Sequence, residues 1–433
     1  MDDDDLDPYC SSTISYLPNK FEDIWQKTKE LFNKEIKTIS DLNTTFYKGD
    51  SDFFTEIEKS FPEDGNEFLK VYNNIRSLVL DINNIFEKDE FNLLISNTTD
   101  KIILTRKQVA LIFILGFFDI FSIDIEKMCV NLRFHFGFIT SSKGGANFAK
   151  GRSFLNYMTT IGKWLEEKNK ILEEKVSYIR EMKDFDIENI ELKNKLCDIE
   201  IIKEGSLFDS EASFDVDFAN KYIGGGVLKK GCVQEEILFA VEPEAIVSMF
   251  LMQKMEDKDA IRIDNIIQYS KYSGYALKFK YEGNAINNND KLIKHNIIAI
   301  DAVCDFTGGL DKESIERDLI KAYVGFNLIN FDDENIIKLK KTIATGNWGC
   351  GAFGGDFELK FLQQWLAATF AGVDKLYYYS FKSPKMEYTI QNLEKLKLIN
   401  LYNLYLIMMN ETLEKGTVLE TIMQKCANEK SIK

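Results

Sequence analysis

The chain has few of the residues from which metal centres are built. Its 433 residues include only two histidines, His135 and His295, and seven cysteines without a Cys-x-x-Cys pair. Zinc sites usually combine closely spaced cysteine and histidine ligands, so the sequence argues against a zinc protease and against structural zinc. An odd number of scattered cysteines predicts free thiols in a reducing compartment. We therefore expect neither a metal nor a cofactor.

Basic charge and long apolar runs are also scarce. The net charge is −15, whereas proteins that coat nucleic acids need clusters of lysine and arginine, so we expect no direct DNA binding. The acidic start, Met1 to Asp5, lacks the basic-then-apolar pattern of a signal peptide. The longest apolar run, residues 109–118, has about half the length of a membrane span and predicts a buried helix. These features favour a monomer of the nucleus or cytoplasm without membrane contact.

The first half of the sequence has the pattern of a helical domain. Prolines are few, and apolar residues recur at three- and four-residue steps. A charged stretch at 183–197 then marks a change of composition. We therefore predict an all-α accessory domain at 1–190 and a second domain at 191–433, and the role of the first, scaffold or docking surface, stays open. The predicted helices are residues 19–36, 66–86, 107–121 and 148–183.

The second half alternates between short β-rich runs and helical patterns, which predicts an α/β domain. In open sheets of this class, ligands bind at the carboxyl ends of the strands. The predicted strands are residues 199–202, 237–241, 260–267, 275–281, 297–303, 341–345 and 375–381. The predicted helices are residues 243–255, 312–329 and 357–371, with a helical tail at 392–428.

A triple glycine followed closely by two acids is the most informative motif. Gly224-Gly225-Gly226 leaves backbone N–H groups uncovered, and such groups can approach an anion. Glu235 and Glu236 can supply proton transfer, although a surface pair of acids is the plainer alternative. Neighbouring side chains point apart on a strand or a helix. We therefore expect one carboxyl to carry the proton chemistry and the other to position a sugar, and the residues alone leave open which does which.

A second glycine-rich segment has the composition of an anion-binding loop. Residues 346–355 contain five glycines in ten residues, and a predicted helix opens after them at Asp356. Glycines let several N–H groups point one way, and the helix N-terminus adds partial positive charge. The segment therefore predicts a diphosphate site that needs no lysine, with Phe353 beside a ribose; a tight strand–helix turn is the alternative. A third segment, residues 268–275, reads as a β-hairpin finger that ends at Tyr275.

Together, in this order, the three segments resemble the signature of poly(ADP-ribose) glycohydrolases. The resemblance covers residues 204–381 and implies an α/β macrodomain, a mixed sheet flanked by helices. It implies that Glu236 is the general acid and that Glu235 bonds ribose hydroxyls. It also implies that an aromatic residue stacks on adenine; Phe381 is expected, and Tyr379 is the alternative. The further substrate-binding residues it implies are Glu204, Asp217, Asn220, Gly224, Gly225, Gly226, Gln234, Tyr275, Asn347, Gly349, Cys350, Gly351, Ala352 and Phe353. Among these, Asn220 would contact ribose, Gln234 would hold the catalytic loop or the adenine side, Tyr275 would close over the substrate, and Glu204 would accept at the adenine edge.

The resemblance implies a hydrolase that cleaves ribose–ribose bonds in poly(ADP-ribose), without a metal, as part of the DNA damage response. Its partners would be poly(ADP-ribose), ADP-ribose and the ADP-ribosylated proteins that carry the polymer. Two alternatives are a macrodomain that binds ADP-ribose without cutting it, and a hydrolase of mono-ADP-ribose. The acid pair favours the enzyme, because a reader gains nothing from carboxylates beside an anionic ligand.

Overall fold

The computed structural model describes residues 13–185, 196–286, 291–306, 308–331 and 339–430. The helices are α1 (Glu22–Phe32), α2 (Ile39–Tyr47), α3 (Asp52–Ser60), α4 (Pro62–Leu80), α5 (Ile82–Ile85), α6 (Arg106–Phe117), α7 (Ile125–Met128), α8 (Gly137–Thr140), α9 (Gly145–Glu166), α10 (Gln234–Val241), α11 (Ser248–Leu251), α12 (Lys312–Asn327), α13 (Phe357–Phe370), α14 (Glu387–Leu396), α15 (Leu401–Asn410) and α16 (Val418–Lys430). The strands are β1 (Ile14–Tyr16), β2 (Glu90–Asn92), β3 (Asp100–Thr105), β4 (Lys175–Met182), β5 (Asp198–Ile202), β6 (Phe214–Ala219), β7 (Asp259–Ile267), β8 (Ser270–Ser273), β9 (Lys280–Asn284), β10 (Lys294–Asp301), β11 (Thr342–Gly346) and β12 (Lys375–Tyr379).

Eight of these strands form one mixed sheet in the order β3-β4-β7-β10-β6-β11-β12-β5. The first four, β3 to β10, pair antiparallel. From β10 to β5, every neighbouring pair is parallel. Five strands therefore end at the same edge of the sheet, and their following loops meet there.

Both faces of the sheet are covered by apolar layers. One face packs against helices of the first half and α10, and the other packs against α12, α13 and the C-terminal helices. The run predicted as a buried helix forms α6, in which every residue from Val109 to Phe117 is fully buried. Of the described helices, none is long and apolar enough to cross a bilayer.

The first half is mainly helical, as predicted, but it is not all-α. Strands β3 and β4 lie within the range predicted as helical and extend the main sheet at its antiparallel edge. Strand β4 has no alternation of apolar and polar residues by which it could be recognised, because both of its faces are buried along most of its length. The predicted boundary at residue 190 falls outside the described residues.

Three local predictions in the second half are wrong. Residues 275–281, predicted as a strand, contain a 3-10 helix (Ala276–Lys278), and strand β9 begins only at Lys280. Residues 237–241 form the end of helix α10 and not a strand, since a short apolar run cannot distinguish a buried helix from a buried strand. Residues 243–255 form a short 3-10 turn followed by α11, and not one helix. In addition, strand β6 was not predicted. It carries Asp215 and Asp217 at the centre of the sheet, where acids are rare.

Candidate active site

A cavity of about 690 Å³ opens where the five parallel strands end. Each strand supplies part of the wall through its following loop: Ala302 after β10, Asn220 after β6, residues 347–353 after β11, Phe381 after β12 and residues 205–208 after β5. This is the strand edge at which the sequence predicts a ligand. Of the predicted site residues, Asn220, Gln234, Glu235, Glu236, Tyr275, Asn347, Gly349, Cys350, Gly351, Ala352, Phe353 and Phe381 line this cavity.

Helix α10 presents both predicted catalytic acids to the cavity. Its first residue, Gln234, accepts the Phe218 N–H at 2.7 Å and donates to the Val216 carbonyl at 3.0 Å, which ties the helix to strand β6. The next two residues, Glu235 and Glu236, are both almost completely buried. Gln234 thus fixes the first turn of α10, in keeping with the loop-holding role among its two expected roles.

The two carboxylates are held by backbone N–H groups. Glu235 accepts from Asn220 at 3.0 Å and from Gly224 at 2.6 Å. Glu236 accepts from Gly226 at 2.9 Å, and from Val233, just before the helix, at 2.7 Å. Negative charge is stabilised near the N-terminus of a helix, so the first turn of α10 favours both carboxylates at their positions.

The triple glycine therefore holds the glutamates and not an anion. The N–H groups of Gly224 and Gly226 go to the two carboxylates, and that of Gly225 goes to the Tyr222 carbonyl at 3.0 Å. None of the three glycines lines the cavity. This corrects the expectation that these N–H groups face a diphosphate. Glycine is needed because a Cβ at Gly225 would stand 2.4 Å from Glu235 Oε2 and 2.6 Å from Glu236 Oε1.

A third acid lies behind this pair. Asp217 on β6 is fully buried, and neither of its oxygens has a hydrogen-bond partner within the described residues. Burial and the charges of Glu236 and Glu242 raise the pKa of Asp217 well above its ordinary value. Burial and the charges of Asp217 and Glu236 also raise the pKa of Glu235 well above its ordinary value. Burial and mutual repulsion therefore disfavour the ionised forms of Asp217 and Glu235.

The second glycine-rich loop faces the cavity from the opposite wall. Its Trp348 is buried beneath it and donates from Nε1 to the Ile300 carbonyl at 2.9 Å, which anchors the loop to β10. In the part of the chain that the structure describes, the N–H groups of Gly349, Gly351, Ala352 and Phe353 have no acceptor. A curved run of open N–H groups is a binding site for an anion.

The helix after this loop contributes less than expected. Asp356 caps α13 and accepts the N–H groups of both Glu358 and Leu359 at 2.9 Å. A carboxylate thus already occupies the positive end of that helix. The expectation of an anion site therefore rests on the loop amides, because the dipole of α13 is largely taken up by its own cap.

Phe381 and not Tyr379 lines the cavity beside β12. The Phe381 backbone is in the left-handed region (φ +49), and its ring is 46% exposed at the cavity mouth. Tyr379 is buried in the sheet behind it, with ring centroids 6.2 Å apart. This arrangement favours Phe381 as the residue that stacks on adenine. Glu204 lies outside the cavity and pairs with Lys382 at 2.6 Å.

Tyr275 stands at the turn of the β8–β9 hairpin, as expected for a finger. Its side chain is more than half exposed at the cavity mouth. Partial burial and the charge of Glu236 raise the pKa of Tyr275, and strand β8 of the hairpin packs against helix α10, which carries that carboxylate. The hairpin therefore extends over the acid side of the cavity.

Several lining residues were missed by the sequence reasoning. Phe218 belongs to the unpredicted strand β6, and Phe208 belongs to a loop with no motif. Tyr272 also lines the cavity and stacks on Phe279. The further lining residues not predicted are Gly205, Ser206, Leu207, Ala219, Val233, Ile237, Gly274, Ala302, Trp348 and Phe357. Among described residues, no group of three or more histidine, cysteine, aspartate or glutamate residues is arranged to hold a metal ion.

Comparison with known proteins identifies the family of this site. The family model for the macrodomain-fold part of poly(ADP-ribose) glycohydrolase matches residues 187–388, and the model for the helical domain of the same enzyme matches residues 61–180. The chain belongs to the poly(ADP-ribose) glycohydrolase family. The expected fold, a macrodomain with a mixed sheet preceded by a helical domain, is thereby confirmed.

Individual relatives agree with the family models. The chain is 35% identical over 224 residues to the probable poly(ADP-ribose) glycohydrolase 2 of Arabidopsis thaliana, covering 43% of each protein. It is 36% identical over 233 residues to poly(ADP-ribose) glycohydrolase 1 of Caenorhabditis elegans, covering 49% of this chain and 29% of that one. The matches thus span less than half the length of these curated relatives. The crystal structure of the Thermomonospora curvata enzyme is 15% identical, covering 46% of this chain and 76% of that chain, with a TM-score of 0.32, which is too low to inform the fold.

Proposed function

We propose that this protein hydrolyses the ribose–ribose O-glycosidic bonds of poly(ADP-ribose) and releases ADP-ribose. The observation that carries the proposal is one cavity with two buried glutamates on one wall and a loop of open amides on the other. The amides suit the diphosphate of an ADP-ribose unit, and the acids suit proton transfer at the adjoining sugar. A net charge of −15 is compatible with this polyanion because the amides, and not lysines, would bind it.

In the first step, the leaving group is a ribose 2′-oxygen, which departs poorly unless it is protonated. Glu236 would donate a proton to this oxygen as the C1″–O bond breaks, giving an oxocarbenium-like ribose and a free 2′-hydroxyl. Glu236 must enter this step as the acid, and the second step restores its proton. The negative diphosphate held by the loop amides would offset the positive charge that develops on the sugar.

In the second step, Glu236 is a carboxylate and accepts a proton from water while the water oxygen bonds to C1″. The products are ADP-ribose with a hydroxyl at C1″ and a polymer shortened by one unit, and the enzyme recovers its proton. Glu235 would meanwhile bond the ribose hydroxyls. Each carboxylate accepts two backbone N–H bonds, so these bonds fix both acids in place and do not distinguish their roles; the Glu235→Gln and Glu236→Gln variants do.

Incubation with labelled poly(ADP-ribose), with and without EDTA, tests the proposal. We expect free ADP-ribose in both lanes, because no step uses a metal. Tight binding without products would favour a macrodomain that only recognises ADP-ribose. Release of ADP-ribose only from mono-ADP-ribosylated protein, in a parallel incubation, would favour a hydrolase of mono-ADP-ribose. Loss of products with EDTA would overturn the metal-independent route.

Replacing Phe381 by alanine tests how adenine is held. Stacking of a base on an aromatic ring contributes about 1–3 kcal/mol, so Phe381→Ala should raise KM roughly ten- to a hundredfold. The kcat should change little, because the substitution leaves both acids in place. Tyr388→Ala is the matched control, since its ring is similarly exposed at 43% but lies outside the cavity. An unchanged KM in Phe381→Ala would mean that another aromatic residue stacks on the adenine.

We further propose that ADP-ribosylated proteins carry the substrate to this site. A monomeric state, residence in the nucleus or cytoplasm, the absence of direct DNA binding and a part in the DNA damage response stay predictions. Sedimentation of the purified protein with and without ADP-ribose would test the first of these.

A further inference from the structure

A buried lysine of the helical half touches the loop that holds Glu236. Lys150 on α9 is fully buried, and its Nζ donates to the Lys229 carbonyl at 2.9 Å and to the Gly231 carbonyl at 2.6 Å. Burial lowers the pKa of Lys150 to about 8, against the opposing charges of Cys232 and Glu236. Burial of an ammonium group is costly unless it is well bonded, so a lysine at this position implies a specific task.

A short path leads from Lys150 to the catalytic carboxyl. The Gly231 N–H donates to the Gly226 carbonyl at 3.0 Å, and the Gly226 N–H donates to Glu236 at 2.9 Å. A Cβ at Gly231 would stand 2.6 Å from Glu236 Oε1, so this backbone lies directly against the carboxyl. The position of Gly231 therefore limits where Glu236 can stand, and Lys150 fixes Gly231.

A second cation of the helical half holds the same loop from another side. Arg133 donates from Nη2 to the Gly225 carbonyl at 2.8 Å, and its guanidinium lies over the Tyr222 ring at 4.7 Å. The loop that carries the triple glycine thus has three of its carbonyls bonded to cations from outside the macrodomain: those of Gly225, Lys229 and Gly231.

The same helix also holds the hairpin that carries Tyr275. Asn156 on α9 donates from Nδ2 to the Tyr269 carbonyl at 2.8 Å, just before strand β8. Arg152 lies over the Tyr281 ring of β9 at 4.8 Å and pairs with Asp64 of α4 at 2.7 Å. One rigid helix therefore contacts both the Glu236 loop and the finger, within two turns of its own length.

We propose that Lys150 is a positioning residue through which helix α9 keeps the Glu236 loop in register with the Tyr275 hairpin. The inference rests on the proposed hydrolase function, and it gives the helical half a task in turnover beyond scaffolding. Misplacement of a reacting group by about 1 Å can cost on the order of a hundredfold in rate. The proposed contacts to the diphosphate and the adenine lie on other walls of the cavity, at the amide loop and Phe381, so KM should change much less than kcat.

Lys150→Met is the test, because methionine keeps much of the length and removes both donors. We expect kcat to fall roughly ten- to a hundredfold while KM stays within about threefold. Lys163→Met is the matched control on the same helix; Lys163 is half exposed and pairs with Glu67 at 2.8 Å. Lys150→Arg, which restores a buried donor, should recover part of the lost kcat.

Amide hydrogen exchange gives a measure that does not depend on activity. In Lys150→Met, exchange should become faster at residues 220–233 and stay unchanged at residues 346–355. Native kcat and native exchange in this variant would overturn the inference, and so would equal acceleration in both loops, which indicates general destabilisation. If the unaltered protein releases no ADP-ribose, the proposed function fails, and exchange at 220–233 still decides the role of Lys150.

Discussion

Glu236→Gln should lose nearly all turnover of poly(ADP-ribose) while it still binds ADP-ribose. Glutamine keeps the size of the side chain and one accepting oxygen, which can serve either the Gly226 or the Val233 N–H, since these two bind different oxygens of Glu236. It cannot give or take the proton, and general acid–base catalysis contributes about 10²–10⁴-fold. Since one carboxyl serves both steps, we expect kcat to fall at least a thousandfold, measured as ADP-ribose released, with Kd from calorimetry within a few-fold.

Glu235→Gln is the informative comparison, because it alters the neighbouring carboxyl at equal burial. If Glu235 positions the ribose, this variant should raise KM and retain more kcat than Glu236→Gln. Near-normal hydrolysis by Glu236→Gln together with loss in Glu235→Gln would reverse the two assignments. Loss of ADP-ribose binding in both variants would instead indicate a collapsed loop.

The sequence predicts most of the segments that form this site, but it predicts the wrong hydrogen-bond partners for the triple glycine. The two glycine-rich loops, the acid pair and Phe381 were all recognised in advance, and all but the triple glycine line one cavity. The partner of the Gly224 and Gly226 amides could not be predicted, because open N–H groups donate to any nearby anion. Here the anions are the protein's own Glu235 and Glu236, brought back by the start of helix α10.

Strand β6 shows why the remaining errors cluster near the site. Its sequence places Asp215 and Asp217 two residues apart, so both point to the same buried face under α10. Burial raises the pKa of Asp215 to about 8. Acids in a central strand oppose the usual pattern, and such local conflicts are expected where a chain carries function. The contacts of Lys150 were equally hidden, because its partners lie about eighty residues away in the sequence.

Gly225→Ala should abolish hydrolysis without unfolding the protein. The residue adopts φ +49, where a side chain costs roughly 1–2 kcal/mol, and the added Cβ would stand within 2.6 Å of both Glu235 and Glu236. The fold can tolerate the strained backbone at residue 225. The two carboxyl groups, however, must move away from the added methyl group, and they are the groups that react with the substrate. We expect kcat to fall at least about a hundredfold, with ADP-ribose still bound at the amide loop on the opposite wall.

Gly372→Ala separates the clash from the strain. Gly372 has a similar backbone (φ +72) at the end of α13, and a Cβ there meets nothing within 4 Å. Both variants should lose the thermal stability that the strained backbone costs, Gly225→Ala somewhat more because of its clash, and only Gly225→Ala should lose turnover. Equal kcat in the two variants would mean that Glu235 and Glu236 can move to make room for a methyl group without any loss of turnover. The close fit of the glycine loop around Glu235 and Glu236 would then serve folding alone, and catalysis would not require tight placement of the two carboxyls.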